Sequence, residues 1–131
     1  MNLLLDTQAL LWWRAGHRKL GARARAAIEK HATAVHVSAA SAWEMAIKCR
    51  SGRLRLRQPL DLWLPAAIEN SGFAMLSVTM DHAMAVVNLP DHHADPFDRL
   101  LIVQAQLEGF TIVTSDAAFE DYDVMRLDAR Q

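Results

Sequence analysis

Short apolar runs alternate with amphipathic segments along the whole chain. Runs rich in Leu, Ile and Val predict β-strands at residues 2–6, 34–38, 73–78, 110–115 and 124–127. Segments whose apolar residues recur with helical spacing predict α-helices at residues 7–16, 21–31, 39–52, 60–72, 79–90 and 96–109. Strands that alternate with helices in this order are typical of a parallel sheet covered by helices. The pattern therefore predicts an α/β fold.

The length of 131 residues fits one domain with a single core. Because no linker, repeat or low-complexity segment interrupts the pattern, we predict a single domain over residues 1–131, with a frayed tail at 128–131. The apolar runs are too short to cross a bilayer, and the start MNLLLDTQ does not resemble a signal peptide. A lone Cys49 cannot form an internal disulfide, which favours the cytoplasm.

Charge is distributed very unevenly between the two halves of the chain. Residues 1–60 contain 11 Lys and Arg against 3 Asp and Glu, whereas residues 61–131 contain 3 against 12. A basic half of this kind predicts either an ordinary solvated face or a surface for a polyanion such as RNA. Charge alone leaves both interpretations open.

Two Asp residues follow predicted strands directly. Asp6 ends the first strand and Asp116 follows the strand at 110–115. In open α/β sheets, ligands bind beyond the carboxyl ends of strands where the winding direction reverses, so both side chains can face one crevice. The alternative is that each Asp only caps the helix that follows it.

A third acid, Glu44, lies inside the helix SAASAWEMAIK, which is apolar on nearly every side. A buried carboxylate is costly unless it is paired or bound to a cation. The alternative is an ordinary ion pair with Lys48, one helical turn further on.

The segment DHHADPFDRLL combines acids and histidines just before an apolar helix. Pro96 suits the first helical position, which makes Asp95 the N-cap and places Asp98 in the first turn. One cap is enough for a helix, so Asp98 is left for another role. Adjacent residues rarely converge on one ion, and we therefore expect His92 and His93 to be exposed or to line the mouth of a site.

Together, Asp6, Glu44, Asp98 and Asp116 form a candidate cluster of carboxylates drawn from the whole chain. Such a cluster stays ionised only if a cation neutralises it. Oxygen ligands without thiolates select Mg²⁺ or Mn²⁺ over Zn²⁺. An ion of this kind can activate water and stabilise the charge that develops on a phosphoryl group.

The chain resembles the PIN-domain superfamily, and within it the VapC-type toxins of bacterial and archaeal toxin–antitoxin pairs. The resemblance runs over essentially the whole chain and is carried by LLLDTQALLWW, VSAASAWEMAIK, DPFDRLLIVQA and TIVTSDAAF. It implies a three-layer α/β/α sandwich around a central, mainly parallel five-stranded sheet. It also implies an endoribonuclease that hydrolyses structured RNA, such as tRNA or rRNA, with a metal-activated water.

By motif, the family's acidic quartet falls on Asp6, Glu44, Asp98 and Asp116, which would bind Mg²⁺, with Mn²⁺ as a substitute. The resemblance gives supporting roles to Thr7, Asp95 and Ser115, and a weaker one to Thr114. Close relatives often have His where this chain has Gln8, which cannot take up a proton near neutral pH. We expect Gln8 to change rate or preference without abolishing activity.

Basic residues of the first half are candidates for contact with the RNA backbone, namely Arg14, Lys48, Arg50 and Arg53. Arg99, beside Asp98, is a candidate partner for one of the quartet acids. Three methionines, Met75, Met80 and Met84, are predicted to fill the core.

The expected partner is a VapB-like antitoxin that inserts an amphipathic helix into a groove. Trp12 and Trp13 are adjacent, so a helix cannot bury both on one narrow face, and one is expected to be exposed at that groove. The family resemblance also implies a homodimer.

Two other functions remain open. Asp6 is placed for an aspartyl-nucleophile phosphatase, although DTQAL lacks the second Asp that haloacid-dehalogenase-like phosphatases use as acid and base. The chain could alternatively be a catalytically weak PIN domain that only binds RNA or antitoxin, and Gln8 is the one feature in its favour.

Overall fold

The computed structural model describes residues 1–131 except for the side chain of His31. The five strands are β1 (Asn2–Leu5), β2 (Ala34–Ser38), β3 (Ala74–Leu76), β4 (Thr111–Thr114) and β5 (Arg126–Asp128). The six α-helices are α1 (Thr7–Ala15), α2 (Ala22–Ala26), α3 (Ala39–Arg50), α4 (Leu60–Ser71), α5 (Met80–Ala85) and α6 (Pro96–Glu108). A π-helical turn (Ala27–His31) extends α2, and 3-10 turns occur at Val86–Asn88 and Ala117–Asp121. No helix of the described chain is long and apolar enough to span a membrane.

All five strands form one sheet in the order β3-β2-β1-β4-β5, and every pair is parallel. The chain winds outward from β1 through β2 to β3, then crosses back to β4 on the other side of β1. The winding direction therefore reverses between β1 and β4, where parallel α/β sheets bind their ligands. The predicted parallel, five-stranded α/β fold is confirmed.

The three layers follow from the side-chain alternation of β1. Leu3 and Leu5 face a core cluster that includes residues of α1, α2 and α4. Leu4 faces the opposite cluster, which includes residues of α6 and both 3-10 turns. Successive strand residues point to opposite faces, so a strand with three consecutive leucines, LLL at 3–5, needs helices on both sides.

The methionine prediction was wrong. Met75, Met80 and Met84 are 78%, 74% and 57% exposed. Met75 lies on β3, an edge strand that pairs only with β2, and the other two lie in the short helix α5. An apolar side chain is buried only where a neighbouring element covers it, and edge strands and short helices are incompletely covered.

The tail prediction was also wrong. Asp128 ends β5, and Ala129 is fully buried with its amide bonded to the Thr114 carbonyl. The Arg23 amide donates to the carbonyl of Gln131 over 2.7 Å. A Cβ at Gly21 would overlap the Gln131 backbone, so this glycine allows the tail to pack against the start of α2.

Candidate active site

Asp6 and Asp116 lie at the carboxyl ends of β1 and β4, the two strands that flank the reversal of the sheet. Leu5 is paired with Val113, and the Asp6 amide donates to the Val113 carbonyl over 3.1 Å. Both acids also cap helices: Asp6 Oδ1 accepts from the Ala9 amide at the start of α1, and Asp116 caps a 3-10 turn. The two acids therefore cap helical turns at the same edge of the sheet, beyond the paired ends of β1 and β4.

Asp6 is the buried centre of the acidic cluster, with 7% of the residue exposed. Burial raises the pKa of Asp6 to about 6, while hydrogen bonds from the Thr114 side chain and the Ala9 amide act in the opposite direction. The charges of Glu44 and Asp116 raise this pKa further. These two carboxylates are therefore close enough to Asp6 to repel it.

Glu44 is 9% exposed, and each of its oxygens has a different partner. The Thr7 hydroxyl donates to Oε1, and Lys48 Nζ lies 3.1 Å from Oε2. The sequence allowed either a buried carboxylate or an ion pair with Lys48. The structure shows both, because Glu44 is buried and also pairs with Lys48. Lys48 is engaged by this carboxylate, which makes it a poorer candidate for contact with RNA.

Asp98 enters the site from the first turn of α6. Asp95 caps that helix, and its Oδ1 accepts a hydrogen bond of 2.9 Å from the Asp98 amide. Burial raises the pKa of Asp98 to about 7, and the charges of Asp95 and Asp6 add to the effect while a hydrogen bond from His93 opposes it. The capping residue therefore also contributes to the electrostatics of the site.

His93 is the residue that sequence reasoning misplaced. Its Nε2 lies 2.8 Å from Asp98 Oδ2 and 3.4 Å from Asp116 Oδ2, so it lies inside the acidic cluster. One ligand atom from each of these three residues falls within 4.8 Å of the others. His92, in contrast, is exposed and meets the Tyr122 ring edge-on, so the adjacent histidines do separate.

A buried clamp formed by Arg99 and Tyr122 places the loop that carries His93. The Tyr122 hydroxyl accepts from the amides of His92 and His93, at 3.0 and 2.8 Å, and donates to the Pro90 carbonyl. Arg99 donates to carbonyls of the same loop and lies 3.5 Å from the exposed Asp91, not beside a quartet acid. The prediction for Arg99 was therefore wrong, because loop carbonyls occupy its guanidinium.

Removing the clamp hydroxyl tests whether it holds His93 in place. We expect Tyr122→Phe to lower the free energy of unfolding by about 1–3 kcal/mol, because the amides of His92 and His93 lose their acceptor in a part-buried loop. Urea denaturation measures this change. A variant within about 0.5 kcal/mol of wild type would show that the loop holds without this hydroxyl.

Two of the predicted supporting residues lie beside Asp116, and the predicted RNA-contact arginines lie on exposed surface. Thr114 is fully buried, and its hydroxyl accepts from the Asp116 amide at 3.1 Å; Ser115 is half-buried beside it. Arg14 is exposed at the end of α1 and donates weakly to Ser71. Arg50 is exposed, and Arg53 donates to the hydroxyl of Ser51. Within the described residues, none of these three arginines forms a salt bridge with the candidate acids.

Neither adjacent tryptophan is exposed, contrary to expectation. Trp12 is 8% exposed, and Trp13 is half-buried with its Nε1 donating to Ser71 Oγ at 3.0 Å. The exposed tryptophan is Trp43, at 62%, which meets Phe97 edge-on. A second helix, α4, supplies Ser71 and so covers the side of α1 that the sequence left open.

The donor set fits a hard divalent cation. The charge of Asp116 contributes to raising the pKa of Asp6, and the charge of Asp6 contributes to raising the pKa of Asp98, so the three carboxylates lie close together. A dication would relieve that repulsion, and three carboxylates are ligands that Mg²⁺ and Mn²⁺ prefer, whereas the His93 imidazole contacts the carboxylates of Asp98 and Asp116. Glu44 is less available, since Thr7 and Lys48 occupy both of its oxygens.

An α/β/α sandwich that gathers carboxylates at the reversal of a parallel sheet defines a class of domains suited to cation-assisted chemistry. A family model for the PIN domain matches residues 3–125. The chain belongs to the PIN-domain family. Ribonuclease VapC22 of Mycobacterium tuberculosis is 34% identical over 116 residues, which are 88% of this chain and 87% of that protein.

Solved structures agree on the fold. The VapBC2 structure from Rickettsia felis, bound to a promoter DNA fragment, superposes with a TM-score of 0.71 at 13% identity, covering 97% of this chain and 98% of that chain. The DNA-bound VapBC structure from Salmonella typhimurium gives 0.66 at 15% identity, covering 100% and 99%.

Proposed function

We propose that this chain is a divalent-metal-dependent endoribonuclease that hydrolyses phosphodiester bonds in structured RNA such as tRNA or rRNA. The observation that carries the proposal is the convergence of Asp98, Asp116 and His93, with ligand atoms within 4.8 Å, beside the buried Asp6. A relative over most of the chain is named a ribonuclease, which supports RNA as the substrate.

In this proposal Asp6, Asp98 and Asp116 hold the cation, which would be Mg²⁺ or Mn²⁺, and His93 completes or orders the set. When bound, the cation would lower the pKa of a water molecule and stabilise charge on the phosphoryl oxygens. Glu44 would accept a hydrogen bond from the nucleophilic water through a remaining lone pair, while Thr7 and Lys48 keep its carboxylate in place. Asp95 and Ser115 have supporting roles only, Asp95 through the start of α6.

The biological role proposed is that of the toxin in a type II toxin–antitoxin pair, with a VapB-like antitoxin as partner. The support is the relative named VapC22 and the likeness of fold to toxins solved as VapBC complexes. A cytoplasmic location and a homodimer belong to the same proposal. Gln8, exposed one residue beyond Thr7, is expected to adjust rate or preference.

Two alternatives are less well supported. A phosphatase that uses Asp6 as nucleophile needs an accessible carboxylate, yet Asp6 is 7% exposed and its Oδ1 is engaged by the Ala9 amide. A domain that only binds RNA or antitoxin would not require carboxylates gathered at one point. Neither alternative uses the contacts of His93 with Asp98 and Asp116.

The proposal is tested by incubating the purified, antitoxin-free protein with a pool of tRNA and rRNA in Mg²⁺, Mn²⁺ or EDTA. We expect discrete fragments with either metal and none with EDTA. Restoring the metal after chelation should restore cleavage, which separates metal dependence from damage by EDTA.

Two other outcomes would contradict the nuclease proposal. Binding of RNA that survives chelation, with no fragments in any metal, would favour the binding-only domain. A phosphate trapped covalently on Asp6 would favour the phosphatase.

A further inference from the structure

A groove of about 760 Å³ runs beside α1, and none of the four candidate acids or His93 lines it. Gln8 lines this groove, and Gln8 follows Thr7, whose hydroxyl holds Glu44. Three arginines line it as well, Arg14 from α1 and Arg55 and Arg57 from the segment between α3 and α4. We call this feature the arginine groove.

The segment that supplies two of these arginines has the alternation of an extended chain. In the sequence RLRLR at 53–57, every Arg is exposed, whereas Leu54 and Leu56 are half-buried and pack against the main core cluster. The leucines therefore hold the segment on the body of the protein and direct the arginines outward. Side chains two positions apart in such a segment are about 6.6 Å apart.

The arginine groove carries positive charge that the described part of the chain leaves uncompensated. Its lining contains no Asp or Glu, and no carboxylate within the described residues lies at salt-bridge distance from Arg14, Arg55 or Arg57. The acids are concentrated in the second half of the chain, which has 12 against 3 in the first 60 residues. The groove is thus a cationic surface next to an anionic site.

We propose that the arginine groove binds the phosphodiester backbone of the RNA strand as it approaches the acidic site past Gln8. The inference deepens the proposed function and rests on it. The candidates named from sequence were Arg14, Lys48, Arg50 and Arg53; of these only Arg14 lines the arginine groove, and the proposal adds Arg55 and Arg57.

Chemistry favours a nucleic-acid strand over an acidic protein segment. The spacing of Arg55 and Arg57 is close to that of successive phosphates along an extended strand. The groove also contains flat rings, the half-buried Trp63 and the exposed His17 that stacks on Trp12, and such surfaces accept bases of any sequence. A polyanion also needs local positive charge to approach a cluster of carboxylates.

The test measures binding without cleavage. The catalytic variant Asp98→Asn serves as background, and its affinity for a short fluorescein-labelled single-stranded RNA is followed by anisotropy at increasing NaCl in Mg²⁺. Arg55→Gln/Arg57→Gln is added to this background. Arg23→Gln/Lys30→Gln is the matched control, because it removes the same charge from exposed positions in α2 and the π-helical turn that follows it.

We expect the groove variant to bind the RNA about tenfold more weakly at low salt. The slope of log K against log salt should become less steep by about 1.4, which corresponds to two lost phosphate contacts on a single strand. The control should leave both unchanged. An unchanged slope in the groove variant, or an equal change in the control, would overturn the proposal.

Two outcomes separate this proposal from others. If the wild-type protein cleaves no RNA yet the slope falls as expected, the arginine groove stands and the nuclease proposal fails. If RNA binding is unchanged while binding of poly-glutamate is lost, the groove receives an acidic protein segment and the RNA assignment is wrong.

Discussion

Replacing Asp98 with Asn is expected to reduce kcat/KM for RNA cleavage by about 10²–10³-fold or more, the range for loss of a group that stabilises transition-state charge. Asp98 faces His93 at 2.8 Å and belongs to the set of donors proposed to hold the cation. An amide keeps the shape of the side chain but supplies no negative charge to a dication. Cleavage of labelled tRNA under single-turnover conditions measures the loss.

The matched control is Asp123→Asn, the same chemical change at an exposed position outside the candidate site. We expect this control to cleave as the wild type does. Cleavage by Asp98→Asn within a few-fold of wild type would mean that the metal site lies elsewhere or that a contaminating nuclease cuts the RNA. Circular dichroism checks that the variant is folded.

The second large effect concerns stability and pH. The pKa of Asp98 rises from 3.8 to about 7 in the folded, metal-free protein, and that of Asp6 to about 6. Between about pH 4 and pH 7, the folded state therefore binds more protons than the unfolded state. Because stability falls with pH wherever the folded state binds more protons, we expect the free energy of unfolding to decrease as the pH rises through this window.

The size of the decrease is expected to be on the order of a few kcal/mol, since one pKa unit corresponds to about 1.4 kcal/mol. Urea denaturation in EDTA, from about pH 4.5 to about pH 8, measures it. Asp98→Asn should flatten the curve and be more stable than wild type at the upper end, whereas Asp123→Asn should follow wild type. The variant that abolishes activity would then be a stabilised protein.

Adding Mg²⁺ or Mn²⁺ supplies an independent check. We expect the metal to raise Tm above about pH 7, where the carboxylates are ionised, and to have little effect near pH 5, where protons occupy the site. A metal-free stability that stays level or rises from pH 4 to pH 7 would contradict the buried, mutually repelling arrangement of Asp6 and Asp98.

Local signals in the sequence predicted most of the framework. The three consecutive leucines of β1 require cover on both faces, and Leu3, Leu4 and Leu5 are indeed distributed between two cores. Pro96 at the first helical position located the start of α6, with Asp95 as its cap. These features depend on residues close together in the chain, and their physical causes can be read locally.

The predictions of side-chain exposure were wrong where burial depends on an element that is distant in the sequence. Met75 is apolar but lies on an edge strand, and Ala129 is protected because the tail packs against the start of α2. One of Trp12 and Trp13 was expected at an open groove, but Trp12 is buried and Ser71 of α4 binds the Trp13 side chain. The local sequence does not show which segments of the chain pack against each other in the folded protein.

By itself, the sequence determined the fold class, the strand-end positions of Asp6 and Asp116, and the four acids that the family motif names. Only the tertiary structure decided that His93 enters the acidic cluster, because Tyr122, 29 residues away, holds the His93 amide. The tertiary structure also places Arg14, Arg55 and Arg57 along one groove. Helix and strand periods express short-range sterics and burial, whereas a site depends on contacts between residues far apart in the chain, which form only when the sheet and its helices pack together.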